Sequence, residues 1–261
     1  LGTNESIKAL TRDQMQAYFD RRYAANNIVL SVAGNFDWNR LVELSAEACS
    51  GWSKATVGRD SRTEWKGAGG LHVLTREKVQ QEHVLLLSGG PPADSKLRYA
   101  ADTLALAVGD DTGSRLYWGL VDPGLADSAD CGYSENDSNG CVCVSYSCEP
   151  EETENNLDVV KKILTDIQRD SITQDELRLA KCKIASRVVR GSERPMGRMQ
   201  VIAAAWSYTG EYRDVETEMA NYDAVTLADV RAYLDKYPID RSTVVAFGPL
   251  KKINGIAGKS V

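Results

Sequence analysis

Two segments of this chain, far apart along its length, read as the same local structure. Ala9-Leu10-Thr11-Arg12-Asp13-Gln14-Met15-Gln16-Ala17-Tyr18-Phe19 lines up with Ala224-Val225-Thr226-Leu227-Ala228-Asp229-Val230-Arg231-Ala232-Tyr233-Leu234, with Ala, Thr, Ala and Tyr identical in one register. Each copy puts a threonine where a helix N-cap belongs, then apolar residues at helical spacing and an aromatic near the end. Gln14, three residues after Thr11, completes a capping box. A β-rich run closed by glycine comes after each copy, at residues 27–34 and 242–248.

The offset between Ala9 and Ala224 is 215 residues. That is too long for a solenoid repeat and ordinary for a globular domain. The repeat therefore predicts a duplicated fold. Residues 1–58 would be the last quarter of a first unit whose earlier part lies upstream of Leu1; residues 59–70 would be a linker, 71–250 a complete second unit, and 251–261 a tail. The glycine-bearing, aperiodic stretch at 53–70 supports a boundary there.

Within the second unit, residues 71–75 and 82–87 read as strands, and Gly89-Gly90-Pro91-Pro92 as the break that ends the second of them. Residues 127–147 alternate as a hairpin about a turn at 135–140 that holds Asn139-Gly140. Helices are expected at 95–108, 114–121, 151–170, 173–192, 195–208 and 226–237, and one earlier in the chain from Asp37 with Leu41, Leu44, Ala48 and Trp52 on one face. Antiparallel strands with helices packed on them indicate an α+β fold with an antiparallel-rich sheet.

Composition narrows function mostly by exclusion. Hydrophobic residues at 43% and charged residues at 26% of the chain are ordinary for a soluble globular protein. A net charge of -6, with no clustered Lys/Arg surface, argues against nucleic-acid binding. The densest basic stretch, 181–198, reads as a solvated helix face. No apolar run is long enough to span a bilayer, and Leu1-Gly2-Thr3-Asn4-Glu5 has no leader character, so the expectation is a soluble protein without membrane attachment, cytoplasmic or periplasmic, whose natural start lies upstream.

Metal chemistry finds little support in these residues. The two histidines, His72 and His83, fall on separate predicted strands, without the i, i+4 helical spacing of zinc hydrolases and without a third ligand nearby. Cys141 and Cys143 alternate along a strand and read as buried or half-buried thiols. The loop Gly109-Asp110-Asp111-Thr112-Gly113 precedes a helix, but its two aspartates would repel phosphate, so it reads as a helix-entry turn.

Several motifs carry a family resemblance. Leu10-Thr11, Tyr23-Ala24-Ala25-Asn26-Asn27 and Val32-Ala33-Gly34, with Gly113-Ser114-Arg115-Leu116-Tyr117 and Gly124-Leu125-Ala126, resemble the pitrilysin, insulysin and mitochondrial processing peptidase group of zinc metallopeptidases. The last two look like that group's "SRL" and "GLA" signatures. The resemblance covers essentially the whole chain. It implies two similar α+β domains enclosing a chamber for a peptide or unfolded polypeptide, with zinc held on a His-x-x-Glu-His helix in the first domain.

No His-x-x-Glu-His occurs in this sequence, so zinc is expected for a longer protein and not in this fragment. By the same resemblance, Arg115, Tyr117, Gly124, Leu125, Asp127 and Tyr133 are the candidate substrate-binding residues. One departure stands out. Active members carry a tyrosine directly after "GLA" and an arginine before it, whereas this chain has Asp127 and Val121-Asp122-Pro123. A carboxylate there opposes a developing oxyanion that a phenol would stabilise, with Tyr133 as the nearest replacement. Three roles stay open: the carboxyl-terminal, non-zinc-binding part of a peptidase; an inactive structural or substrate-presenting half that pairs with an active subunit; and a plain assembly module of the same fold.

Overall fold

The last strand of the chain is the second in the sheet. In the computed structural model, which describes residues 2–56 and 69–254, five strands lie in the order β1-β5-β2-β4-β3. β1 is Leu71–Thr75, β2 Glu82–Gly90, β3 Ser128–Glu135, β4 Gly140–Cys148 and β5 Thr243–Gly248. β5 pairs parallel with β1 and antiparallel with β2, placing Leu71 opposite Val244 and Val84 opposite Ala246. β2 to β4 and β4 to β3 are antiparallel.

Nine α-helices accompany the sheet among the described residues: α1 Asn4–Lys8, α2 Arg12–Arg22, α3 Trp38–Ala48, α4 Leu97–Val108, α5 Thr153–Asp170, α6 Gln174–Ser192, α7 Pro195–Thr209, α8 Val215–Asp223 and α9 Leu227–Lys236. Among the described residues, the core forms on one face of the sheet only. Alternate strand residues Val84, Leu86, Val142, Val144, Tyr146, Val244 and Ala246 are buried with Leu104 of α4, Leu157 and Leu164 of α5, and Tyr233 and Leu234 of α9. Their sequence neighbours point to the other face, where Leu74, Leu85 and Phe247 keep 47%, 39% and 37% of their surface in solvent. Period-two alternation in β2 and β4 is thus the direct record of a sheet covered once.

Helix placement reflects local chemistry closely. Thr173 and Thr226 accept the N3 backbone N–H of α6 and α9 in capping boxes with Glu176 and Asp229. Asp37 caps α3 by accepting the Arg40 N–H at 2.7 Å. Gly109 ends α4 where β3 crosses it: the Cys131 N–H donates to the Gly109 carbonyl at 2.9 Å, and any side chain at 109 would overlap the Asp130–Cys131 backbone.

Two expectations are corrected. Gly89 and Gly90 do not break β2; they pair with Cys141 and Gly140, and the ladder stops at Pro91, which has no N–H to give it. The expected strand at 27–34 does not form, because a strand needs a ladder partner and none lies beside it among the described residues. Instead, Ala25–Asn27 is a 3-10 turn, and Ile28, Val29 and Leu30 after it are exposed. The apolar face foreseen on α3 exists but is not covered, with Leu44 46% and Trp52 51% exposed. The expected linker, 59–70, falls largely outside the described residues.

α8 was not among the helices expected from the sequence. It is tied down by charge more than by apolar surface: Arg98, buried in α4, donates to both Glu135 carboxylate oxygens at 2.9 Å and to Glu218 of α8 at 3.2 Å. Tyr99 donates its hydroxyl to the same Glu218 at 3.1 Å, and Tyr222 to Asp102 at 2.7 Å.

The two repeat copies share their caps but not their surroundings. α2 has the Thr11 capping box and no buried residue, whereas α9 buries Val230, Tyr233 and Leu234. Thr226→Ala is therefore expected to lower the unfolding free energy of the sheet domain by about 1 kcal/mol in urea titrations, and Thr11→Ala to leave that transition in place.

Candidate functional site

The "SRL" segment leads into a single wide helical turn, Tyr117–Val121, in which the Asp122 N–H reaches the Tyr117 carbonyl five residues back at 2.9 Å. Leu116 and Leu120 are fully buried beneath it. Gly119 lies against Ile163 and Val159 of α5, so close that a larger residue would displace the Ile163 side chain. The "GLA" segment folds back over the same turn: Gly124 takes φ 74°, and the N–H groups of Leu125 and Ala126 both reach the Leu120 carbonyl. Asn156 of α5 donates to the Leu125 carbonyl at 2.6 Å.

The six candidate residues meet five different sets of partners. Arg115 grips Glu176, the capping-box residue of α6, through two nitrogens at 2.6 and 2.9 Å. That fork holds the Glu176 carboxyl below its usual range against the opposing effect of burial. Tyr117 sits edge-on to Trp118 and lines a groove of about 380 Å³ shared with Leu106, Leu179 and Lys183. Gly124 and Leu125 shape the returning strap.

Asp127 leads into β3, accepting from the Gln81 side chain at 2.8 Å. Tyr133 lies on β3 and donates its hydroxyl to the Pro91 carbonyl at 2.6 Å, with burial pushing its phenol up. Asp127 and Tyr133 are thus held apart, one at the start of the strand and the other near its end. The loop at 109–113 receives a cation: Lys183 donates to the Asp110 carboxylate and to the Thr112 carbonyl.

A residue not singled out from the sequence sits beside Gln81. Glu82 starts β2 fully buried, with one carboxylate oxygen accepting the Leu250 N–H at 3.2 Å and the other without a partner among the described residues. Gly248 leaves the space into which that carboxylate reaches. Burial raises its pKa. The only signal in sequence was an acid opening an otherwise apolar strand.

Zinc does not fit the donors present among the described residues. His72 and His83 lie on β1 and β2, opposite Val245 and Phe247 of the intervening β5. No group of three or more His, Cys, Asp or Glu side chains among the described residues could hold a metal ion. Burial raises the pKa of the Cys141 and Cys143 thiols, disfavouring the thiolate that a metal or an electrophile requires. Among the described residues, no helix is long and apolar enough to cross a membrane.

An α+β layer with helices on one side, an open sheet on the other and a packed "SRL"–"GLA" turn defines a domain built around a surface. The chain belongs to the pitrilysin-type peptidase family: the family model described as the peptidase M16 inactive domain matches residues 9–183. An uncharacterized zinc protease of Mycobacterium leprae is 30% identical over 258 residues, spanning 95% of this chain and 57% of that protein. The chain therefore corresponds to somewhat more than half the length of such relatives.

Solved structures agree on the fold. A peptidase M16 inactive domain from Pseudomonas fluorescens superposes with a TM-score of 0.83 at 21% identity, covering 98% of this chain and 61% of that one. A chain of Complex III2 from Candida albicans gives 0.82 at 17% identity, covering 96% and 62%.

The Arg115 fork and the buried Glu82 each lead to a measurable outcome. Arg115→Ala should cost on the order of 1–3 kcal/mol in denaturant unfolding, and Arg115→Lys should recover little of it, because an ammonium cannot reproduce the fork. Glu82 has a raised native pKa, so the stability of its neutral form is fully present below the unfolded value of 4.5 and is lost as pH rises through the native value. Glu82→Gln should remove that decline, so that the variant gains on the parent chain in urea midpoints as pH rises above 4.5.

Proposed function

We propose that this chain is the carboxyl-terminal, non-zinc-binding part of a zinc metalloendopeptidase, and that its open sheet face forms one wall of a chamber that holds peptide or unfolded polypeptide. The one-sided sheet carries the reading: Leu74, Leu85 and Phe247 stay exposed on it, flanked by half-buried Leu87 and Val245. A contiguous apolar face on a folded domain marks a surface with a partner. Backbone-extended peptide suits it, since side chains projecting every second residue can lie along such a face.

Residues 1–58 are then the end of a first domain and 71–250 a second domain of the same kind. The uncovered apolar side chains of α2 and α3 belong against the part of the first domain that the longer relatives carry. Zinc and the groups that activate water belong to that part as well.

The test is made on a longer protein that includes the region the relatives have beyond this chain. It is expected to bind about one zinc ion per chain and to cleave an unfolded peptide. Absence of both would leave the second reading, an inactive structural or substrate-presenting half that works with an active partner subunit. Asp127 favours that alternative, because Gln81 holds a carboxylate where active members of the group place a phenol.

A further inference from the structure

We propose that the cleft at the Gly90 end of the sheet binds the carboxyl-terminal carboxylate of an extended peptide; this rests on the peptide-holding reading of the open face. The cleft has a volume of about 850 Å³ and is walled by the end of β2, the β3–β4 turn and the connection from α9 into β5. Its charged lining consists of Lys236 and Arg241, with no carboxylate in the wall. Both are exposed, and neither forms an ion pair among the described residues.

Polar groups suited to a carboxylate stand beside them. Ser138 and Ser242 line the cleft, and their hydroxyls form no hydrogen bond among the described residues. Thr243 uses its hydroxyl oxygen to accept the Gly69 N–H at 2.9 Å, which leaves its own proton to donate. Asp240 adjoins Arg241 in sequence but is not part of the wall.

Size and position favour a peptide end over a small ion. A cleft of this volume is in the range that holds a ligand of several residues. Leu87 and Thr243 belong both to its wall and to the open face of the sheet, so a chain lying across Leu85 and Phe247 runs directly into it. Charge-assisted hydrogen bonds to the terminal carboxylate would then fix which end of the peptide lies there, a selection that apolar contacts along the sheet cannot make.

The experiment measures fluorescence anisotropy of a labelled ten-residue peptide, with Leu and Phe at alternate positions, titrated with the full 261-residue chain at low salt. The peptide is made with a free carboxyl end and as the carboxyl-terminal amide. The free acid is expected to bind about tenfold tighter. A Lys236→Gln/Arg241→Gln double variant, checked for native circular dichroism, should abolish the preference by weakening the free acid to about the affinity of the amide. Equal binding of the two forms, or a preference that survives in the double variant, overturns the proposal while the peptide-holding reading stands. Inorganic phosphate displacing the free acid at concentrations comparable to unlabelled peptide also overturns it, in favour of a small-anion site. If neither form binds, the peptide-holding reading fails along with it.

Discussion

The insertion of β5 between β1 and β2 is the constraint on which the rest of the sheet and its helices depends. β1 has no other strand to pair with among the described residues, and β2 has β5 on one side and β4 on the other. Until residues 243–248 arrive, the sheet is three strands in the order β2-β4-β3 with an orphan strand beside it, and the buried face of β5, Val244 and Ala246, is missing from the core. α9 delivers that strand, packing Tyr233 and Leu234 under the sheet just before the chain turns into it. Such a pairing joins residues as distant in sequence as Leu71 and Val244, the kind of long-range closure that makes β-rich folds slow to form.

How far the sequence disclosed this depended on whether the deciding information was local. Caps were legible because they are written in three or four consecutive residues: Thr173 with Glu176 and Asp37 before α3 act as their spacing indicated. The hairpin at Asn139-Gly140 was equally plain. α8 was not, since its support is Glu218 reaching Arg98 at a separation of 120 residues, and a polar nine-residue segment gives no periodic signal. Nor could the local pattern at 27–34 reveal whether a neighbouring strand would be there to pair with it.

The candidate site shows the same division. Signature residues marked a packed turn between α4 and β3, yet their types did not announce what they would touch. Arg115 is drawn to the start of α6 and Tyr133 to the loop before α4, so both hold the framework together. The residues that shape accessible space at the sheet's far end, Lys236 and Arg241, belong to no motif and acquire meaning only when β5 brings them beside Gly89 and Gly90. A charged side chain in a connecting loop looks the same in sequence whether it faces bulk solvent or a cleft.

The unpaired run after Ala25–Asn27 has a practical consequence. Ile28, Val29, Leu30 and Val32 are exposed on backbone that Ile28 already holds in an extended conformation, which is a ready template for recruiting another chain. Handling this polypeptide by itself is thus a problem of colloidal behaviour before it is one of enzymology. Keeping that segment from meeting a second copy is one demand on its solubility, and dilution, a chaperone or a complementary strand would each work on that encounter without touching the stability of the sheet.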